Sequence, residues 1–130
     1  MSDSANLKVV LKDEPSERRE LKVSILGTEY DIKLVNPKDD HCLEDKDGYH
    51  DSSTHEIVVD SMDECTIGMK KNITEYRNGV IRHEMIHAFL SESGLDVCSN
   101  GAWAKNEEMV DWIAIQFPKM MAAFKEVGCI

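Results

Sequence analysis

The first half of the chain alternates apolar and polar residues, which is the pattern of strands with one buried face. Residues 22–26 and 29–35 show this alternation on either side of Gly27, and therefore predict a β-hairpin closed by a tight turn. Residues 56–60 predict a further strand, and residues 7–12 are a candidate for another. Two polar segments predict loops: residues 13–20, and residues 45–48, which also suit a hairpin turn.

The second half of the chain changes to a helical pattern. Residues 74–94 continue this pattern without interruption, Asn72 or Thr74 can cap its start, and Gly94 is a natural stop. Apolar residues occupy almost every angle around this helix, which is typical of a buried central helix rather than a surface helix.

A second helical pattern covers residues 106–116. Its apolar side consists of Val110, Ile113, Ala114 and Phe117. Pro118 has no backbone N–H, so it should break or kink this helix. The apolar residues beyond it should form a short final helix that adds to the core, and they are Met120, Met121 and Phe124.

Strands followed by helices predict an α+β fold. We expect a small twisted antiparallel sheet packed on the central helix, with the second helix beside it. A chain of 130 residues is long enough for one domain with its own core, so residues 1–130 are assigned to a single domain. Residues 1–20 would form either a mobile segment or an extra strand.

Composition and charge exclude several classes of partner. With 42% hydrophobic and 31% charged residues, the chain is ordinary for a soluble globular protein. Its formal net charge of −10 provides no basic surface, so we expect neither nucleic acid nor a membrane as a partner. No run approaches the ~20 apolar residues of a membrane span, and the N-terminus lacks the features of a signal peptide, so we expect a cytosolic protein. The four cysteines are widely spaced and predict free thiols.

Residues 83–87 read His-Glu-Met-Ile-His, in the middle of the first predicted helix. Two histidines four residues apart lie on one face of a helix, one turn apart, and can bind the same metal ion. Glu84 projects about 100° further round, so it can reach a metal-activated water without being a ligand. The motif therefore predicts a metal site with His83 and His87 as ligands.

The second predicted helix offers a third ligand. At about 100° per residue, Glu107 lies about 60° from Val110, the centre of the apolar stripe, and Asp111 lies about 100° from it on the same flank. Glu108 lies about 160° away and faces solvent, where an acidic residue complements the helix dipole. Glu107 is therefore the predicted ligand, and Asp111 could accept the free ring N–H of a ligand histidine. Two imidazoles and one carboxylate suit zinc better than magnesium or calcium.

These motifs resemble a known family. His-Glu-x-x-His, a spacer, and then Asn-Glu-x-x-x-Asp resemble the zinc-binding pattern of the gluzincins, the thermolysin-like superfamily. The stretches 82–95 and 103–114 are similar to small zinc metallopeptidases encoded by phages and prophages. They resemble the ImmA/IrrE-like and SprT-like peptidases more loosely.

The resemblance implies a zincin-like fold and a function. His83, His87 and Glu107 would bind one Zn²⁺ per chain, Glu84 would be the general base, and Asp111 would support a ligand histidine. The reaction would be hydrolysis of a peptide bond by a zinc-activated water, with a peptide or protein as the substrate. For a phage-encoded protein, the location would be the host cytosol.

One difference from this family concerns the oxyanion. Thermolysin-like enzymes have a histidine, and often a tyrosine, downstream of the third ligand, whereas here no histidine follows His87 and no tyrosine follows Tyr76. A donor would come from upstream, and the candidates are Tyr49, His50, His55, Tyr76 and Arg82. Such peptidases bind substrate along an edge strand near the zinc, and residues 56–60 are the expected strand.

Two other interpretations stay open. The chain could be a zinc-binding structural or interaction protein of phage origin without turnover, which is consistent with the missing downstream donor. Alternatively, the histidines could be core residues bonded to backbone carbonyls. A measurement of metal content distinguishes the second alternative, in which the histidines bind no metal, from the two interpretations in which they bind zinc.

Overall fold

The computed structural model of the protein describes residues 19–63 and 71–130. The predicted strand at 7–12 and most of the predicted loop at 13–20 lie outside the described residues, as does Cys65. The cysteines that are described are exposed free thiols: Cys42, Cys98 and Cys129.

The predicted hairpin is present. Strands β1 (Arg19–Ile25) and β2 (Thr28–Val35) pair antiparallel. They are joined through Leu26 and Gly27, whose φ values of 51° and 92° are both left-handed. Two successive positive φ values match the twist of a hairpin, and glycine adopts such a value without steric cost. Because β1 begins at Arg19, the last two residues of the predicted loop are strand.

The sheet is mixed, so the prediction of an antiparallel sheet is wrong for one pair of strands. After two single 3-10 turns, Pro37–Asp39 and His41–Leu43, come β3 (Gly48–Asp51) and β4 (Glu56–Asp60). The strand order is β1-β2-β4-β3, with β4 antiparallel to β3 but parallel to β2. After β2 the chain crosses to the outer edge of the sheet, where it forms β3. It then turns back and forms β4 between β2 and β3, so β4 runs parallel to β2. Parallel pairing needs such a long connection.

The strand predicted at residues 56–60 is confirmed as β4, but it is an inner strand paired on both sides. It therefore cannot be the substrate-binding edge that we expected. The edge on this side of the sheet is β3, which begins at Gly48, the last residue of the predicted polar loop.

The first predicted helix begins and ends near the predicted positions, and the second begins near its predicted start. Helix α1 spans Ile73–Glu92, and the side chain of Asn72 caps it by accepting a hydrogen bond from the N–H of Glu75 at 3.2 Å. Gly94 follows with a left-handed φ of 85°. A short helix α2 (Leu95–Cys98) and a 3-10 segment (Asn100–Lys105) lead to α3 (Glu107–Glu126).

Helix α1 lies between the sheet and α3. The sheet face toward it forms the main core, built from Ile25, Tyr30, Ile32, Leu34, Ile57 and Val59, with Ala88 from the helix. The expectation of a helix buried on all sides is wrong, because within α1 only Glu84 and Ala88 are buried. The sheet and α3 each cover only part of the surface of α1, and Phe89 remains 41% exposed.

Pro118 does not break the second helix, because α3 continues through it to Glu126, so the prediction of a separate final helix is wrong. Pro118 cannot donate to the carbonyl of Ala114, and the side chain of Arg82 donates to that oxygen instead. The expected contribution of the following residues to the core is also wrong, since Met120 and Met121 are half-buried and Phe124 is 37% exposed.

Candidate metal centre

Helix α1 brings His83 and His87 together on one face. They are one turn apart, their ring centroids lie 4.9 Å from each other, and the rings meet edge to face at 67°. Both side chains are 17% exposed. Ring nitrogens from both residues therefore reach the surface at the same place.

Glu107 is the first residue of α3 and faces the two histidines. The side chain of Asn106 caps this helix by accepting a hydrogen bond from the N–H of Met109 at 2.7 Å. The Oε1 atom of Glu107 lies 3.0 Å from Nε2 of His83 and 3.1 Å from Nε2 of His87. One ligand atom from each of the three residues lies within 4.8 Å of the others, so this group could hold a metal ion.

Asp111 lies one turn further along α3. Its Oδ1 is 2.7 Å from Nδ1 of His83. Because a carboxylate only accepts hydrogen bonds, Nδ1 bears the proton, which leaves Nε2 of a neutral ring available to bind a metal ion. Glu108, by contrast, is exposed, and no hydrogen bond or ion pair joins its side chain to another described residue.

The donor set fits a cation. A lone pair on Nε2 of His83 and an oxygen of Glu107 at 3.0 Å repel each other unless a ring proton or a metal ion lies between them. In a tetrahedral site with bonds of about 2.0–2.1 Å, neighbouring ligand atoms are about 3.3 Å apart, which is close to the separation of the histidine nitrogens from Oε1. The three residues thus provide two nitrogens and one oxygen, with the oxygen at a suitable separation from each nitrogen.

The electrostatics keep Glu107 ionised. Burial alone would raise its pKa, but the hydrogen bonds and charges of His87 and His83 outweigh burial and lower the pKa. Its side chain is 71% exposed, so the carboxylate is reached directly from solvent.

Glu84 occupies a different environment from Glu107. It is 8% exposed, and burial raises the pKa of its carboxyl, an effect that the neighbouring His83 and His87 partly oppose. Within residues 19–63 and 71–130, no side chain or backbone group donates a hydrogen bond to this carboxylate. A buried carboxylate without a donor is costly, and a high pKa makes it a better base.

Two cavities meet at Glu84. One, of about 510 Å³, is also lined by His83, His87 and Glu107, together with His50 of β3. The other, of about 540 Å³, extends between α1 and α3 and is also lined by His83 and Asp111. Gly48 of β3 borders both cavities.

Four of the candidate oxyanion donors line the cavities: Tyr49 and His50 the one beside His87, and Tyr76 and Arg82 the one beside Asp111. Tyr49 and Arg82 have partners of their own, since Tyr49 donates to Asp40 at 2.6 Å and Arg82 donates to the carbonyl of Ala114. His55 packs on Tyr30 instead. Tyr76 donates to Asp47, which together with burial raises the pKa of Tyr76 to about 12.

A polar network behind His50 was missed by the sequence analysis. The hydroxyl of Tyr30, which is fully buried, donates to Oε2 of Glu92 at 2.8 Å and lies 3.1 Å from Nε2 of His50. Because the hydroxyl has a single hydrogen, Nε2 of His50 must be the donor in the second contact. No sequence signal indicates this network, since its members lie on β2, β3 and the end of α1.

Comparisons with known proteins provide no family. No family model, no curated protein and no solved structure matches the chain. Among the helices in the described part of the chain, none combines the length and apolar character needed to cross a membrane.

Proposed function

We propose that the protein is a zinc-dependent metallopeptidase of zincin-like architecture, in which His83, His87 and Glu107 hold Zn²⁺. The observation that supports this most directly is the convergence of both histidine Nε2 atoms on one oxygen of Glu107, at 3.0 and 3.1 Å, beside the buried Glu84. The proposal includes the likeness to phage and prophage metallopeptidases, a peptide or protein substrate, and a cytosolic location in the host.

The residues divide the chemistry between them. A zinc ion held by the three ligands would supply a water acidified toward neutral pH and would polarise the substrate carbonyl. Glu84 takes the proton from the attacking water and returns it to the leaving amine. Asp111 holds His83 in the tautomer that leaves Nε2 free for the metal.

Strand β3 is the element that would position the substrate. It is the edge of the sheet, and Gly48 and His50 lie on the face that α1 covers. An extended peptide pairing with this edge would pass both cavities and Glu84. His50, whose Nε2–H is donated to Tyr30, would accept a hydrogen bond from a substrate N–H through Nδ1 of its neutral ring, within the cavity beside His87.

A second candidate function is a zinc-binding structural or interaction protein without turnover. The absence of any histidine after His87 favours it, since the usual downstream oxyanion donor is missing. In that case the metal would only tie α1 to α3.

Metal content is the first test of the proposal. The full chain is purified without a metal-binding tag, and zinc is measured by elemental analysis for the parent protein and for His83→Ala. About one zinc per chain in the parent, and none in the variant, is expected. Absence of zinc in the parent protein, with no uptake on titration, would refute both zinc functions.

Glu84→Gln separates the peptidase from the structural protein. The variant should retain zinc and lose hydrolysis of any protein substrate that the parent cleaves, by roughly 10²–10⁴-fold, because it removes the general base. Undiminished cleavage by this variant would exclude Glu84 as the base. A parent protein that binds zinc and cleaves no member of a broad peptide library favours the structural alternative.

A further inference from the structure

The cavity of about 540 Å³ beside Asp111 is strongly acidic. Among the residues that the structure describes, its charged lining consists of Asp47, Glu75, Glu84 and Asp111, together with the guanidinium of Arg82. Arg82 is already engaged, since its Nε donates to the carbonyl of Ala114 and its Nη2 lies 3.8 Å from Glu75. The cavity therefore has an excess of negative charge.

The partners of these carboxylates do not remove that excess. Asp47 accepts from the neutral hydroxyl of Tyr76, and a neutral donor leaves the carboxylate charge in place. Asp111 accepts from Nδ1 of His83, which is neutral when its other nitrogen is free to bind a metal. Glu84 is 8% exposed, borders the cavity, and receives no hydrogen bond from the described residues. A buried carboxylate in this state needs a donor beyond the described residues, and a cationic ligand can supply one.

The rest of the lining is apolar. Val80, Ala114 and Ile115 contribute hydrocarbon surface, and Tyr76 lines the same space. An acidic cavity with apolar walls suits a ligand with a cationic end and an alkyl stem.

The second cavity lacks this character. Besides Glu84, Glu107 and Asp96, it is lined by two lysines, Lys46 and Lys105. Among the described lining residues, the two cavities on either side of Glu84 thus differ in charge, and the one beside Asp111 has the larger excess of negative charge.

We propose that the cavity bounded by Asp47, Glu75, Glu84 and Asp111 binds a lysine or arginine side chain of the peptide substrate, next to the bond to be cleaved. This inference rests on the proposed function for its reference to a scissile bond, but the binding itself does not require turnover. The positively charged group would lie among the carboxylates, and its alkyl stem would pack against Val80 and Ile115.

Binding of small probes tests this directly. Nα-acetyl-arginine amide and Nα-acetyl-lysine amide are titrated into the zinc-loaded full chain and followed by two-dimensional NMR, which reports both affinity and location. The matched neutral probe is Nα-acetyl-citrulline amide, which has the shape of the arginine compound without its charge. Glycine amide serves as a fourth probe, since its only cation is an α-ammonium group.

We expect the arginine or the lysine compound to bind at least about tenfold more tightly than the citrulline compound, since hydrogen bonds between charged groups are stronger than neutral ones. The double variant Asp47→Asn/Glu75→Gln should abolish this preference, while the amide oxygen introduced at position 47 can still accept from Tyr76. The control Glu108→Gln removes one exposed charge on α3 outside the cavity and should retain the preference.

Three results would overturn the inference: equal binding of the citrulline compound, no detectable binding of either cationic compound, or tighter binding of glycine amide. A loss of preference in Glu108→Gln as large as in the double variant would also overturn it, because it would indicate attraction to net charge alone. Selective binding without hydrolysis of any peptide in the library would favour the structural alternative over the proposed peptidase and leave the cation site standing.

Discussion

The Nε atom of Arg82 donates a hydrogen bond to the main-chain carbonyl oxygen of Ala114, at 2.7 Å. Pro118 lies four residues after Ala114 in α3 and has no N–H to offer that carbonyl. The side chain from α1 therefore replaces the missing helical hydrogen bond. This contact joins the two helices beside His83 and Asp111, so it helps to fix the separation across which the candidate metal site forms.

The role of Arg82 as the donor in place of the missing Pro118 N–H can be tested by a double-mutant cycle. Arg82→Met should lower the free energy of unfolding by about 1–3 kcal/mol, because it leaves the Ala114 carbonyl without a donor. In a Pro118→Ala background the same change should cost about 1 kcal/mol less, since the introduced alanine supplies the N–H. Urea unfolding of the four proteins provides the numbers. Glu75→Gln is the control for the exposed ion pair of Arg82 and should change stability by less than about 0.5 kcal/mol. Equal costs of Arg82→Met in both backgrounds would contradict this role of the contact.

Glu107 and Glu108 provide a matched pair for the third ligand. Both are exposed residues of the first turn of α3, but only Glu107 contacts the histidines. Glu107→Ala should lower zinc affinity by at least about a hundredfold and reduce the zinc-dependent rise in Tm by several degrees. Glu108→Ala should retain both properties. Competition with a chelator and thermal unfolding measure them, and the reverse ranking would exclude Glu107 as the ligand.

Gly48 allows β3 to approach α1 closely. A Cβ at this position would lie 3.0 Å from the carbonyl oxygen of Val58 and 3.1 Å from Cγ1 of Val80. Gly48→Ala should therefore destabilise the fold by about 1–3 kcal/mol through overpacking. Gly79→Ala is the control, since a Cβ there meets only the guanidinium of Arg82 at 3.7 Å. Removing a glycine from a helix interior should instead stabilise the protein by up to about 1 kcal/mol. Chemical denaturation of both variants tests whether the two substitutions change the free energy of unfolding in opposite directions.

The hydrogen bonds of Glu92 lead us to expect that part of the stability of the fold is lost at acid pH. Hydrogen bonds from the hydroxyls of Tyr30 and Thr28 hold its pKa below the ordinary value of 4.5. A carboxyl with a lowered pKa in the folded state stabilises the fold fully above its unfolded pKa, and this contribution disappears as pH falls through the folded pKa. The stability difference between the parent protein and Glu92→Gln should therefore be larger at pH 7 than at pH 3. Urea titrations at both pH values measure it, with Glu29→Gln as a control for loss of an exposed carboxylate. A difference independent of pH would contradict the role of these hydrogen bonds.

Local sequence signals were sufficient for the elements that depend on neighbouring residues. Gly27 at the hairpin turn, Asn72 at the start of α1 and Gly94 beyond its end all act within a few residues of the chain. The angle between Glu107 and Asp111 on α3 also follows from helix geometry alone. These features could be predicted because the physics that determines them is local.

The features that were missed depend on residues far apart in the chain. The four residues of β3 have no alternating apolar pattern, and the parallel pairing of β4 depends on the path of the whole crossover. The carbonyl that Pro118 leaves without a helical donor accepts from Arg82, which lies on another helix. The contact of Tyr30 with Glu92 likewise joins positions separated by 62 residues.

The exposure of Glu107 has a consequence for the exchange of a bound metal. Its side chain is 71% exposed, whereas His83 and His87 are each 17% exposed. If the site holds a metal ion, a small chelator would therefore displace the carboxylate first and remove the ion by ligand exchange while the protein stays folded. Release of metal from this site would then depend on chelator concentration, not on the rate at which the protein unfolds.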